Sequence, residues 1–191
     1  EKQTNEDDDD WSDLIELCRI IGQTPAAELR AKLEPLMDID SFLTAIALDN
    51  ATVNLDSYIG MGQNFNVYRR PSDGKWVWLV WDPSLAFGAF GQGAQNPVQL
   101  ATEYVQASGI GAPGGGANPN AGRPLATKLW AIPEYKDRYR QIYQQLITRV
   151  FDGPRTLARM NELRAMIRPH VEAETQRLAT MAQFDAAMEG T

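Results

Sequence analysis

Two carboxylates and a carboxamide flank a predicted β-hairpin near the middle of the chain. Asp56 and Asn64 precede its first strand, and Asp82 closes its second. The intervening Pro71-Ser72-Asp73-Gly74 favours a tight turn, because proline fixes φ, aspartate bonds its own backbone and glycine tolerates positive φ. A hairpin returns its second strand to where the first began, so we expect the three side chains at one end. Their oxygen atoms suit Mg²⁺ and phosphate chemistry.

Each of these three side chains also has a purely structural interpretation. Asp56 could close a turn or cap a helix, Asn64 could begin the hairpin, and Asp82 could form an Asp-Pro turn after the strand. The second strand is expected to be buried, which would hold Asp82 rigidly. Its tryptophans Trp76, Trp78 and Trp81 could form a sugar-binding platform, but strand alternation separates Trp81 from the other two and favours a core role for part of the set.

Three helices are predicted before the hairpin from apolar residues at helical spacing. The apolar face of the first consists of Trp11, Leu14, Ile15, Cys18 and Ile21. This placement predicts that Cys18 is a buried, inert thiol. Gly22 ends this helix, and Thr24-Pro25 begins the second with threonine as its cap. Asp38 or Asp40 caps the third, whose buried side consists of Phe42, Leu43, Ile46 and Ala47.

After the hairpin the composition changes. Residues 97–107 could form a short helix, and residues 108–122, rich in Gly, Ala, Pro and Asn, predict a flexible insertion or a lid. From Arg123 onward the pattern is helical. The apolar face of one of these helices is expected to lie in the core and not in a groove for a partner, and it consists of Tyr135, Tyr139, Ile142 and Tyr143. Asp152-Gly153-Pro154 separates it from the next helix, which Pro169 kinks or restarts. That next helix is marked by Leu157, Met160, Leu163 and Ile167.

Composition excludes several classes of function. A formal net charge of -7 over 191 residues argues against nucleic-acid binding, which needs a basic surface. One cysteine and one histidine exclude an internal disulfide and any multi-histidine or cysteine-based metal site. No apolar run approaches the roughly 18 residues of a transmembrane helix. Residues 1–10 end in four aspartates and predict a solvated acidic tail, with calcium binding as the alternative.

The literal residues around the hairpin resemble a known family. Three stretches are similar to motifs of the spore coat protein H (CotH) kinase family, an atypical protein-kinase-like family. They are Asn54-Leu55-Asp56-Ser57-Tyr58, Asn64-Phe65-Asn66-Val67-Tyr68, and Trp81-Asp82 before Phe87-Gly88. Ile132-Pro133-Glu134-Tyr135 and Ile167-Arg168-Pro169 are similar to its C-terminal helices. In protein kinases a catalytic aspartate, a metal-binding asparagine, a short hairpin and a second metal-binding aspartate follow in the same order.

The resemblance implies transfer of the γ-phosphate of ATP, with Mg²⁺, to a protein hydroxyl in a serine-rich acceptor segment. Asp56 would be the catalytic carboxylate, Asp82 the principal metal ligand and Asn64 the second. The residues that would support these groups are Asn54, Ser57 and Ser84.

The same resemblance implies a mainly α fold with a central β-hairpin, similar to the C-terminal, helical lobe of an atypical protein kinase. This lobe would span residues 11–191. Nothing before Asp40 is similar to the β-sheet, covering loop and paired lysine of an N-terminal lobe. We therefore expect that lobe to be a partner supplied by the parent chain, and this stretch alone to bind nucleotide weakly or not at all.

Three positions depart from the family pattern. Gln63 stands where the family has a histidine, Asn66 where it has an aromatic residue, and Pro83-Ser84 where a further polar ligand often follows Trp-Asp. They leave open the alternative of a non-catalytic pseudokinase or a spore-coat or cell-surface interaction module. Because family members occur in spore coats and among exported bacterial proteins, the resemblance implies a bacterial surface, spore-coat or extracellular setting.

Overall fold

A computed structural model describes residues 4, 6–87, 123–177 and 179–189. The expectations for Gly88, for the helix at 97–107 and for the segment at 108–122 lie outside the described residues. The chain divides into two compact units, Glu1–Tyr143 and Gln144–Thr191. The described part is mainly helical with a two-stranded antiparallel hairpin, which confirms the predicted fold class.

The first unit contains the hairpin and the helices around it. Its helices are α1 (Ser12–Gln23), α2 (Ala26–Leu33), α3 (Ile39–Ala51), α4 (Pro124–Trp130) and α5 (Pro133–Gln145), whose last two residues belong to the second unit. The strands are β1 (Phe65–Arg69) and β2 (Trp76–Val80), followed by a 3-10 helix at Pro83–Leu85. No helix in the described ranges is long and apolar enough to cross a membrane.

Helix α3 is the central core element of this unit. Asp38, not Asp40, is its N-cap and accepts a hydrogen bond from the Ser41 amide at 3.1 Å. Its predicted core residues are all buried, namely Phe42, Leu43, Ile46 and Ala47. Burying a side chain as large as that of Phe42 stabilises the fold by roughly 1.5–3 kcal/mol. The helix therefore provides a fixed support for the loop that follows it.

Strand β2 fastens the hairpin to the helices. The Trp76 amide donates to the Leu36 carbonyl at 2.8 Å, and the Trp76 carbonyl accepts from the Asp38 amide at 2.9 Å. Further along the strand, the Trp78 amide donates to Ser41 Oγ at 2.9 Å. In the predicted turn, Gly74 has a φ of +70, which glycine adopts without steric cost.

Four aromatic rings join α3, the hairpin and the loop between them: Phe42, Tyr58, Phe65 and Trp78. Phe65 and Trp78 stack with ring centroids 4.4 Å apart. Phe42 and Tyr58 each meet the Trp78 ring edge-on at 4.8 Å. Such pairs add roughly 0.5–1.5 kcal/mol each beyond their burial. The cluster therefore holds the loop from Asn54 to Asn64 against the hairpin.

The expectation of a buried second strand is wrong for most of β2. Only Trp78 is buried among its residues, and Trp81 just beyond it is 61% exposed. A two-stranded sheet that packs one face on a helix leaves its other face to solvent. Trp78 is enclosed in the aromatic cluster, so the three tryptophans do not form one exposed platform.

Helix α1 buries a different face from the predicted one. Leu17 and Ile20 are buried, whereas Ile15 is 64% exposed and Cys18 is exposed. The apolar residues occupy a wide arc, and packing against α2 and α4 selects the part centred on Leu17 and Ile20. Cys18 is therefore not the buried thiol that we predicted. Thr24 does not cap α2, since Pro25 occupies the N-cap position without a side-chain hydrogen bond.

Helix α5 places its first two predicted tyrosines in the core. The Tyr135 hydroxyl donates to Glu34 Oε1 at 2.9 Å, and the Tyr139 hydroxyl accepts from Asn50 Nδ2 at 2.6 Å. Both rings are buried, which confirms the core interpretation for them, while Ile142 and Tyr143 are half-buried.

The second unit consists of a π-helical turn (Leu146–Val150) and helices α6 (Gly153–Ala173) and α7 (Met181–Glu189). Asp152 caps α6 by accepting from the Arg155 amide at 3.1 Å. The helix does not restart at Pro169, which lies within its last turns. Its apolar residues predict the helix correctly but are exposed within this unit: Leu157, Met160, Leu163 and Ile167.

Candidate active site

The Asp56 carboxylate lies between two carboxamide side chains. Gln63 Nε2 donates to Oδ1, and Asn64 Nδ2 donates to Oδ2 at 2.8 Å. The same Asn64 nitrogen also donates to the Asp56 carbonyl at 2.8 Å. Asp56 is only 8% exposed, so these contacts fix its orientation. Each carboxylate oxygen has a further lone pair with which to accept a proton.

Asn64 has a backbone conformation that few residue types tolerate. Its φ is +53, in the left-handed region where asparagine is favoured over other non-glycine residues. Because its Nδ2 is used by Asp56, its Oδ1 is the atom that it can offer to a cation. The Asn64 carbonyl accepts from the Trp81 amide at 3.3 Å, so the residue also ends the hairpin ladder.

Asp82 lies at the same end of the hairpin but is exposed, not held by a buried strand as we expected. Its φ is +43, and its Oδ1 accepts from the Ser84 amide at 3.2 Å. The side chain and amide of Ser84 both hydrogen-bond this carboxylate and lower the pKa of Asp82 below its ordinary value. No hydrogen bond joins its side chain to Asp56 or Asn64 among the described residues. Local capping, rather than strand burial, therefore orients Asp82.

A buried polar group supports the loop that carries Asp56. Asp49, near the end of α3, accepts from Asn54 Nδ2 at 3.0 Å, and its carbonyl accepts from the Asn54 amide at 2.8 Å. Ser57 Oγ donates to the Asn54 carbonyl at 2.8 Å. All three side chains are buried. Two of the predicted supporting residues, Asn54 and Ser57, thus make hydrogen bonds within the loop that carries Asp56, and the third, Ser84, bonds Asp82.

The turn between α3 and this loop contains an unusual valine. Val53 has a φ of +51, at the position after a helix where glycine normally stands. A β-branched residue there is strained, at a cost of roughly 1–3 kcal/mol. The conformation is closed by two backbone bonds, from Val53 to the Asn50 carbonyl at 3.2 Å and from Asn54 to the Asp49 carbonyl at 2.8 Å. The loop therefore leaves α3 through a strained but tightly bonded turn.

Arg123 clamps the far side of the same loop. Its Nε donates to the Tyr58 carbonyl, its Nη2 donates to the Gly60 carbonyl at 2.5 Å, and its guanidinium lies 5.9 Å from the Tyr58 ring centre. Gly62 permits this approach, since it has a φ of +82 and an added Cβ would lie 3.0 Å from Arg123 Cζ. The loop is thus held by Asp49 at its start and by Arg123 at its middle.

Sequence reasoning missed both of these supports. Asp49 had a detectable signal, because it lies seven residues after Phe42 and three after Ile46, on the buried face of α3. Arg123 follows a glycine-rich stretch and has no local pattern that would reveal a contact with Tyr58 or Gly60. Gln63 was noticed only as a departure from the family, not as a donor to Asp56.

We expect Asp49→Asn to remove a pH dependence of stability. Burial raises the pKa of Asp49 to about 7 from 3.8, and the side chains that reach its carboxyl, Asn54 and Ser57, are uncharged. Between about pH 4 and pH 7 only the folded protein keeps this proton, so the free energy of unfolding falls as pH rises, by up to about 1.4 kcal/mol per unit. Urea unfolding at about pH 5 and about pH 7 measures this slope. Equal slopes in the wild type and the variant would contradict the assignment.

Comparison with known proteins identifies the family. A family model described as CotH kinase protein matches residues 1–190. The chain belongs to the CotH kinase family. Searches of curated proteins and of solved structures found no match.

Membership of the CotH kinase family makes this a kinase-like protein. It supports, in general terms, the use of a nucleotide and a metal and action on a protein substrate. The match spans the aspartates and the asparagine at the hairpin end as well as both compact units.

Proposed function

We propose that this CotH kinase-family chain takes part in transferring the γ-phosphoryl group of ATP to a serine hydroxyl of a protein, with Mg²⁺. The observation that carries the proposal is the Asp56 carboxylate, oriented by Gln63 and Asn64 at the hairpin end where Asp82 also lies. Phosphoryl transfer needs a positioned carboxylate and electrostatic compensation more than covalent chemistry from the protein.

Asp56 has the properties of a proton acceptor. In the proposed step a bond forms between the serine oxygen and the γ-phosphorus, the bond between that phosphorus and its bridging oxygen breaks, and ADP leaves. The serine proton passes to an Asp56 oxygen, for which each oxygen has a remaining lone pair. The two amide donors keep the carboxylate in place while it changes charge.

The hairpin end offers oxygen atoms of the kind that Mg²⁺ binds, from Asp82 and Asn64. Among the described residues, no three His, Cys, Asp or Glu side chains are grouped so as to hold a metal. In this proposal the Asp82 carboxylate and Asn64 Oδ1 would hold the ion, and water or phosphate oxygens would complete its ligands. When bound, Mg²⁺ would neutralise charge on the phosphates. We further propose that residues 11–191 act as the helical lobe and that an N-terminal lobe supplies the other contacts to ATP.

Transfer of radiolabelled phosphate tests the proposal directly. The protein in its full natural length, mixed with Mg²⁺, ATP and a serine-rich acceptor, should label the acceptor, and a chelator should abolish the label. Asp82→Ala should remove most of the transfer. Asp73→Ala is the matched control, because Asp73 is an exposed aspartate at the opposite end of the same hairpin.

A second candidate function is a non-catalytic interaction module. The observation that favours it is the exposed apolar stripe of α6, formed by Leu157, Met160, Leu163 and Ile167. Absence of transfer by the wild-type protein, together with no Mg²⁺-ATP binding by calorimetry, would support this function and reject the first.

A further inference from the structure

Asp49 is a buried acidic residue that bonds the loop carrying Asp56, and the proposed phosphoryl transfer does not use it. Asp49 is 6% exposed, and the two side chains bonded to it or to its partner, Asn54 and Ser57, are 2% and 1% exposed. A carboxyl group so far from solvent is costly to bury unless its bonds compensate. The hydrogen bonds of Asp49 therefore indicate which part of the structure it stabilises.

The contacts of Asp49 with Asn54 connect it to the backbone on either side of Asp56. The Asn54 side chain and amide bond the side chain and carbonyl of Asp49 at 3.0 and 2.8 Å. Ser57 Oγ then bonds the Asn54 carbonyl at 2.8 Å. Asp56 lies between Asn54 and Ser57 in the chain, so Asp49 acts on the residues before and after it.

Two further observations indicate that this turn needs the bonds that Asp49 supplies. The strained Val53 turn persists only if its surroundings hold it closed, and Asp49 supplies the bonds at its C-terminal side. Among the described residues, Asn54 Oδ1 is buried and has no hydrogen-bond partner. A carboxyl group that keeps its proton can donate to such an acceptor, and the raised pKa of Asp49 agrees with a proton being kept.

We propose that Asp49 is a positioning residue: through Asn54 and Ser57 it holds the Asp56 carboxylate at the place where the acceptor hydroxyl is deprotonated. The proposal rests on the proposed phosphoryl transfer for its effect on rate, but its effect on the loop is independent of that function. Asp49 touches neither substrate nor metal in this assignment and acts only through its neighbours.

Three variants of the protein in its full natural length test this role. Asp49→Ala should lower kcat by about tenfold to a hundredfold, since misplacement of a reacting group by about 1 Å has that effect, and should leave KM for ATP within about threefold. Asp49→Asn, which keeps an acceptor for Asn54 and adds a donor, should recover most of kcat. Asn50→Ala is the matched control: Asn50 is the next residue, equally buried, and its side chain bonds Tyr139 instead of the loop.

Hydrogen exchange without nucleotide gives a second readout. The amides of Met61 and Gly62 bond the Leu55 and Ser57 carbonyls at 3.1 and 2.9 Å, and they should exchange faster in Asp49→Ala but not in Asn50→Ala. Unchanged kcat and exchange in Asp49→Ala, or equal losses in Asn50→Ala, would overturn the positioning role. A wild-type protein that transfers no phosphate would instead reject the proposed function, and the exchange data would still decide whether Asp49 holds the loop.

Discussion

Asp56→Asn should lower kcat for phosphoryl transfer by about 10²–10⁴-fold, the usual contribution of a general base. The carboxamide is nearly the same size but cannot accept the serine proton. It also turns its own NH₂ group toward one of the two donors, Gln63 Nε2 or Asn64 Nδ2, which now bond the carboxylate. The measurement is single-turnover transfer at saturating Mg²⁺-ATP, with thermal unfolding recorded alongside.

Asp73→Asn is the control for this prediction, because it makes the same chemical change at the turn end of the hairpin. Asp73 bonds Arg70, and this pairing lowers the pKa of Asp73 to about 2. Its substitution should leave transfer unchanged. If Asp56→Asn kept more than about a tenth of the wild-type rate while folded, Asp56 would not be the base.

Arg123→Ala should lower the free energy of unfolding by about 3 kcal/mol, because hydrogen bonds from a charged donor contribute roughly 1.5–3 kcal/mol each. The variant removes the bonds to the Tyr58 and Gly60 carbonyls and leaves a cavity beside Gly62. For a chain of this size the unfolding temperature should fall by roughly 6–12 °C. Arg123→Lys should recover only part of the loss, since an ammonium group lacks the planar fork that reaches both carbonyls.

Arg138→Ala is the matched comparison for this loss. Arg138 also makes two hydrogen bonds, to Asp40 at 3.0 and 2.6 Å, but both side chains of the pair are about half exposed. Exposed pairs of this kind contribute about 1 kcal/mol or less. Similar losses in the two variants would show that Arg123 is not a buried clamp.

Much of the fold could be predicted because it depends on local patterns. The Pro71-Ser72-Asp73-Gly74 turn, the core face of α3 and the break between helices at Asp152-Gly153-Pro154 each depend on residues close together in sequence. The hairpin then places Asn64 and Asp82 at one end, because the second strand of an antiparallel pair ends beside the start of the first. The roles proposed for Asp56, Asn64 and Asp82 remain predictions that the experiments above test.

The predictions that failed depended on which neighbour an element meets. Cys18 lies on an apolar arc of α1, but packing on α2 and α4 selects Leu17 and Ile20 instead. Strand β2 consists of apolar residue types that are usually buried, yet a hairpin that packs one face on α3 exposes the other face. Periodicity identifies a helix or a strand, but the partner decides which side is covered.

The sequence alone determined the order of the described elements, the family and the hairpin end near which the candidate residues lie, because these follow from short-range patterns and literal motifs. Only the tertiary structure revealed what holds Asp56 in place. Asp49 is five residues before Asn54, and Arg123 is more than sixty residues after Tyr58, yet both bond the same loop. The burial of Asp49 follows from the face of α3 that packs into the core, and the Arg123 contact follows from folding of the whole unit, since no local spacing encodes a contact across sixty-five residues.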